Sequence, residues 1–422
     1  MQLFPRILLA DTKNTLALRS DDFKDGENVV ISVQSMEKYN APHSGLYRID
    51  EDTRFEKHTK IVKDGAVIFY FTPIGEQRHR VYAEYRGEKY TFEIYSLLSD
   101  LYALNAYKGD GHIHSTASDG LSSPLDTACA YYAAGFDYIA LTDHHKYAPS
   151  KELSEQVNGV LKHFRVYCGE EVHNRDMGYF HIINFGAKDS VNEIINADPD
   201  DVFRKIAAQA GVIAEKYSLP ESLDKKEFAF RLWVSENIRK FGGVSVLCHP
   251  YWDAYGEYNM QSDMLYFLLK NHVFDAFEVV DDVDRTGNGV NLQTALYQQL
   301  RADGVKIPIV GSSDCHDVNG DVFGKYFTYA FCDNVEHIKE AITNFKTVAV
   351  ERIGTEYRVY GDFRLIKYTR FLIDNFEPNF KQIREKNVAL FKRAIEERSA
   401  ELAEKLEKDC LSFRKLFFGN RA

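Results

Sequence analysis

Up to about residue 105 the chain alternates apolar and polar positions in short runs broken by turn dipeptides. The runs at 28–33, 66–71, 79–85 and 90–95 are rich in β-branched and aromatic residues, which suit a pleated, half-buried surface. Asp25-Gly26, Asp64-Gly65 and Arg86-Gly87 separate them, and Asp-Gly pairs favour tight reversals because glycine reaches positive φ freely. The pattern predicts a small all-β, sandwich-like domain over residues 1–105. No constellation of nucleophiles, acids or metal ligands stands out there, so an accessory or interface role is expected.

From about residue 106 the pattern changes, and apolar runs end abruptly in ionisable residues. The run at 138–145 closes on Asp143, His144 and His145, and the run at 164–171 on Glu170 and Glu171. His181 opens the run at 180–185, His249 closes 244–250, 274–280 forms another strand, and Asp314 and His316 close 307–316. Continuous apolar runs suit strands buried on both faces of a parallel sheet. Helices alternate with them: Ser123, Pro124 and Gly135 supply the cap, first-turn proline and terminal glycine of one. Others are expected near 199–216, 226–241, 261–271, 290–303 and 334–345. Seven or so β/α units predict a closed or nearly closed parallel α/β barrel over residues 106–358, with its chemistry at the strand ends. The helical insertion at about 199–240 exceeds a simple crossover and is placed to cap the site. Residues 359–422 read as a charged helical extension in which Val388, Phe391, Ile395, Leu402 and Leu406 form one apolar stripe. Packing against the barrel or a contact between copies of the chain is its expected role, and homo-oligomerisation through it or the β domain is a candidate.

At 422 residues the chain has room for two or three domains. A formal charge of −11 argues against broad contact with a phosphate backbone, so no extended nucleic acid is expected as partner. The six cysteines are scattered with no Cys-x-x-Cys pair, as suits free thiols in a reducing compartment. No uncharged window approaches membrane-span length, and Pro5 and Arg6 interrupt the short apolar N-terminus. A cytoplasmic location is expected.

The candidate chemistry lies at the strand ends. His112 and His114 stand two residues apart, so a strand would point both to one face, with Asp119 and a turn-forming Gly120 just beyond. His144, Glu171, His181, His249, Asp314 and His316 end or begin the later strands. Six of the 14 histidines and three carboxylates thus gather at one end of the predicted barrel. Any one of them alone reads as an ordinary structural side chain; the set does not. Imidazole and carboxylate oxygen are ligands for zinc, manganese and iron, and nine donors suit two or three divalent ions rather than one.

The segments Gly111-His-Ile-His-Ser-Thr-Ala-Ser-Asp-Gly120, Leu141-Thr-Asp-His144, Gly169-Glu-Glu171, His181-Ile-Ile-Asn-Phe185, Cys248-His-Pro250 and Gly311-Ser-Ser-Asp-Cys-His316 resemble, in order, the motifs of the PHP (polymerase and histidinol phosphatase) family. The resemblance covers roughly residues 106–355. It implies a distorted (β/α)7 barrel, a trinuclear metal site and phosphoester hydrolysis. It implies further that His112, His114 and Asp314 bind a first metal, that Glu171 bridges it to a second held by His181 and His249, and that Asp119, His144 and His316 hold a third. Glu171 is selected over Glu170 as the second residue after the glycine.

Such a centre implies hydrolysis by a metal-bridged hydroxide, since a water shared by two divalent ions loses a proton near neutral pH. Catalytic roles are expected for Glu171, Asp314 and Asp143, the last orienting a ligand or managing protons. Many of the family's phosphatases carry an arginine soon after His-Pro, whereas residues 251–256 here hold no basic side chain. Lys146, Arg175 and Arg285 are candidates to replace it, and Tyr251 and Trp252 are candidates to stack on a base or sugar. The leading expectation is a metal-dependent phosphoesterase acting on a small phosphomonoester or nucleotide. The rivals are a non-phosphate metallohydrolase using the same site and a non-catalytic binding or regulatory protein.

Overall fold

The computed structural model describes residues 1–37, 55–173, 181–254, 256–282 and 288–419. It divides into two compact units, Met1–Asn105 with Lys367–Ile383 and Glu407–Ala422, and Ala106–Ile366 with Arg384–Leu406. Residues 359–422, expected as one extension, are thus shared between both.

In the first unit, strands Gln2–Phe4, Asn14–Arg19 and Ala66–Phe71 form a three-stranded sheet. A five-stranded sheet runs in the order Ile7–Leu9, Glu88–Leu97, Gln77–Tyr85, Asn28–Ser35, Glu56–Ile61. Strict alternation in Gln77–Tyr85 buries every second side chain, and Leu16, Ile31, Val67, Phe69, Val81 and Ile94 share one core. Asp64 and Gly65 (φ 51° and 66°) and Arg86 and Gly87 (54° and 85°) make the left-handed pairs that join twisted antiparallel strands tightly.

In the second unit, a six-stranded sheet runs Arg165–Tyr167, Tyr138–Ala140, Asn105–Asp110, Tyr326–Cys332, Thr347–Ile353, Glu356–Gly361. A five-stranded sheet runs Gly169–His173, His181–Phe185, Val244–Leu247, Ala276–Val280, Ile309–Gly311. The parallel bridges Ile113–Cys315 and His144–Glu171 join the two beyond their strand ends. The result is a mixed α/β unit with curled sheets, and it corrects the all-parallel expectation. His181–Phe185 runs antiparallel to both its neighbours, because seven residues between strands are too few for a helical crossover. The run at 164–171 is also split: it leaves one sheet after Tyr167 and joins the other at Gly169.

Helices cover the sheets where periodicity predicted them, among them Pro124–Ala133, Pro199–Tyr217, Lys225–Lys240, Ser262–Lys270 and Asn288–Ala302. Ser123 caps the first, accepting from the Asp126 amide. The apolar stripe expected on one C-terminal helix falls on two, Val388–Glu396 and Ala400–Phe418, separated by Arg398 at φ 49°. Phe391 from the first of them stacks on Tyr132 at 4.1 Å and meets Phe164 edge-on at 5.3 Å, which is packing within this unit. Among the described residues no helix is long and apolar enough to cross a membrane, and all six cysteines are free.

Candidate metal centre

The strand Asn105–Asp110 ends one residue before Gly111, and its last side chain fixes the loop beyond it. Asp110 is fully buried and accepts from the His112 amide (3.2 Å), the Ser313 amide (3.2 Å), the Ser313 hydroxyl (2.5 Å) and the Tyr131 hydroxyl (2.9 Å). One carboxylate thus ties the segment carrying His112 and His114 to the one carrying Asp314 and His316. Burial pushes its pKa up to about 6.

The loop after His114 is held by Asp143, whose oxygens accept from the Ser115 amide (2.7 Å), the Ser115 hydroxyl (2.8 Å) and the Ser118 hydroxyl (2.7 Å). Ser118 Oγ also lies 3.4 Å from His114 Nδ1. Asp143 therefore positions ligands through the loop. Gly120 closes the loop by donating its amide to Ser115 O, and a Cβ there would stand 2.5 Å from His114 O.

Glu171 is the centre of the arrangement. Its Oε2 faces His112 Nε2 (3.3 Å), His114 Nε2 (3.1 Å) and His144 Nδ1 (3.1 Å), while its Oε1 faces His181 Nδ1 (2.6 Å) and His249 Nε2 (3.1 Å). Asp314 Oδ1 adds a second acid, 3.1 Å from His112 Nε2 and 2.9 Å from His114 Nε2. Toward solvent, Asp119 lies 3.3 Å from His316, 3.7 Å from His144 and 3.6 Å from His114 Nδ1. The inner imidazoles are buried, whereas the Asp119 and His316 side chains are 55% and 36% exposed.

All nine expected ligands are therefore brought together. Among the described residues, four groups of donors lie close enough to share an ion: His112, His114, Glu171 and Asp314; His144, Glu171 and His181; His114, Asp119, His144 and His316; and His112, Cys248 and His249. Glu170 points the other way. It accepts from Ser190 Oγ, Asn184 Nδ2 and the amides of Val191 and Asn192, and so caps the helix Val191–Ala197.

Two observations test whether these residues fit metal ions. His114 Nε2 and Asp314 Oδ1 are buried 2.9 Å apart, yet neither makes a hydrogen bond, and His144 Nδ1 is in the same state beside Glu171. Nitrogen and oxygen atoms this close that complete no well-aligned hydrogen bond suit a common centre between them. The charges agree. Burial raises the pKa of Glu171 and Asp314, but the imidazoles around them outweigh it and hold both well below the ordinary carboxylate range. Burial likewise opposes the charge on His114, yet Asp314 and Glu171 raise it to about 9. The cluster demands positive charge, and the residues fit divalent cations. Backbone strain supports a functional assignment: His249 and Asp314 hold φ at 25° and 51°.

Sequence reasoning missed three further side chains. Glu278 accepts from the His249 amide (3.2 Å) and lies 3.3 Å from His112 Nδ1; the signal was a lone acid inside the apolar strand Ala276–Val280. Asp110 stands immediately before the segment Gly111–Gly120, where its proximity to His112 is the signal. His173 shares the face of Glu171 two residues on, which the alternation of a strand would have shown. Of the candidates for phosphate contact, Lys146 donates to Ala117 O, while Arg175 and Arg285 lie outside the described residues. Tyr251 is core, its hydroxyl 3.1 Å from Ser262 Oγ, but half-buried Trp252 lies 5.2 Å from His181.

No family model matches the chain. It is 24% identical over 250 residues to the DNA polymerase/3'-5' exonuclease PolX of Bacillus subtilis (strain 168), covering 56% of this chain and 39% of that protein. The chain thus spans less than half the length of that relative. A solved two-domain protein of Bacteroides vulgatus containing a PHP-like metal-dependent phosphoesterase is 20% identical, with 58% of this chain and 65% of that one covered at a TM-score of 0.39. A Bifidobacterium adolescentis protein assigned as a metal-dependent phosphoesterase gives 15%, 63%, 96% and 0.36 for the same quantities. An amidohydrolase of Chromobacterium violaceum gives 18%, 50%, 87% and 0.34. The chain is similar to these proteins over about half to two thirds of its length.

Proposed function

We propose that this chain is a metal-dependent phosphoesterase that hydrolyses a small phosphomonoester or a nucleotide at a trinuclear centre on a distorted (β/α)7 barrel. The observation that carries the reading is Glu171, whose two oxygens each face a separate set of imidazoles, as a carboxylate shared by two ions requires. His112, His114 and Asp314 would hold one ion with Glu171, His181 and His249 the second with Glu171, and Asp119, His144 and His316 the third. When bound, the ions supply Lewis acidity and lower the pKa of water toward neutrality.

The residues of the chain do the rest. Asp110 and Asp143 fix the loops that bear the ligands, and Glu278 orients His112. The buried inner imidazoles exclude bulk water, while the exposed Asp119 and His316 leave the approach open on their side. Zinc, manganese and iron all suit these donors, and supply decides among them.

The test is release of inorganic phosphate from mononucleotides, nucleoside bisphosphates and sugar phosphates with manganese supplied, beside an Asp314→Asn control. Release by the wild type alone supports the reading. A second reading, hydrolysis of a non-phosphate bond, draws on the lack of a basic residue from Tyr251 to Gly256. Metal-loaded protein that releases no phosphate would favour it.

A further inference from the structure

The strand Gly169–His173 sets Glu171 and His173 two residues apart, on one face. Its antiparallel partner His181–Phe185 pairs in a register that places His181 directly opposite His173, and opposite residues of such a pair project to the same side. His173 therefore faces the metal centre by backbone geometry alone. Its ring centroid lies 4.2 Å from that of His181 and 5.3 Å from that of His144, and exposed His145 stacks on it at 4.9 Å and 20°.

His173 is only 8% exposed, yet among the described residues neither ring nitrogen has a hydrogen-bond partner. Buried polar groups are paired in nearly all proteins, so an imidazole with both nitrogens idle calls for a ligand. That ligand is not an ion of the centre. His112, His114, His144, His181, His249 and His316 each lie within 4 Å of a carboxylate oxygen. Among the described residues His173 pairs with no carboxylate and belongs to none of the donor groups. It is an imidazole set beside the ligands, one ring in from solvent, with an N–H to offer.

We propose that His173 is a phosphate-binding residue, its imidazole donating a hydrogen bond to a phosphoryl oxygen of the substrate beside His181. The assignment rests on the phosphoesterase reading and deepens it. In this arrangement His173 takes one phosphoryl oxygen on the side of the centre, and His145 forms the outer edge of the same wall.

The experiment is calorimetric titration of inorganic phosphate into the full-length, manganese-loaded protein, with metal content measured in parallel. The variants are His173→Ala, His173→Phe, which keeps the ring volume without a donor, and His173→Gln, which restores an N–H. The expected result is wild-type metal content throughout, roughly tenfold weaker phosphate binding in the first two, as loss of one hydrogen bond gives, and recovery in the third. Unchanged phosphate binding by whichever of the alanine and phenylalanine variants folds would overturn the assignment. So would loss of metal from it, which would make His173 a ligand. A metal-filled wild type that binds no phosphate would instead defeat the phosphoesterase reading itself, and this role with it.

Discussion

The N-terminal β unit and the strand-end cluster both bury histidine, and they do opposite things with it. His79 sits in the core of the β unit with Nδ1 2.9 Å from Ser35 Oγ and Nε2 2.9 Å from Ser96 Oγ, so both nitrogens are satisfied by neutral partners. Burial drives its pKa down to about 3, and it stays uncharged. In the cluster, His114 Nε2 and His144 Nδ1 face carboxylates without bonding them. The residue type is the same, and His114 lies as deep as His79. What separates a structural histidine from a ligand is the charge of what it faces and whether the geometry closes a hydrogen bond.

The largest expected effect is at the residue on which the cluster converges. Glu171→Gln removes the charge that five imidazoles face, and hydrolysis should fall by well over a hundredfold, beyond the ~10–100-fold typical of residues that only support ligands. Glu278→Gln should fall within that range, because it frees His112 Nδ1 while leaving every ligand in place. Manganese titrations would show it as weakened affinity. At the exposed edge, Asp119→Asn should lower retention of one ion and cost activity by about tenfold. A loss as large as that of Glu171→Gln would erase the distinction between the inner ligands and the outer ones.

Protons sharpen the comparison further. His114, raised to about 9, carries a proton at pH 7 in metal-free protein, so metal uptake should release protons and tighten as pH rises. Calorimetry in two buffers of different ionisation enthalpy reads this directly. His79 contributes the opposite way and only to stability. Its folded value of about 3 lies below the ordinary 6.5, so the unfolded chain binds more protons between these values. Its contribution is intact above pH 6.5 and is lost as pH falls toward 3, by about 1.4 kcal/mol per pH unit at most. His79→Gln should flatten that acid slope and leave hydrolysis unchanged.

Much of this was legible in the sequence, because strand ends that turn from apolar to ionisable announce themselves. The nine candidate ligands and most strands and helices are legible that way. Other features depend on partners that pattern does not encode. The helix Ala148–Asn158 buries only Leu153 and Val157 as apolar side chains, beside serines that bond strand carbonyls, Ser150 to Tyr167 O and Ser154 to Val166 O. Glu170 and Glu171 are neighbours of one type: the resemblance selects Glu171, but what Glu170 does instead, capping the helix at Val191, takes the structure to see. The antiparallel return at His181–Phe185 follows from a short connection rather than from any change in hydrophobic period.

The central claim is that Glu171 is shared between ions, and counting metal per chain tests it most directly. Wild type, Glu171→Gln and His79→Gln would be loaded with manganese, desalted and measured by plasma mass spectrometry. The account predicts that Glu171→Gln loses at least two ions together while His79→Gln keeps the full complement. A Glu171→Gln protein that stays folded and retains every ion would contradict it.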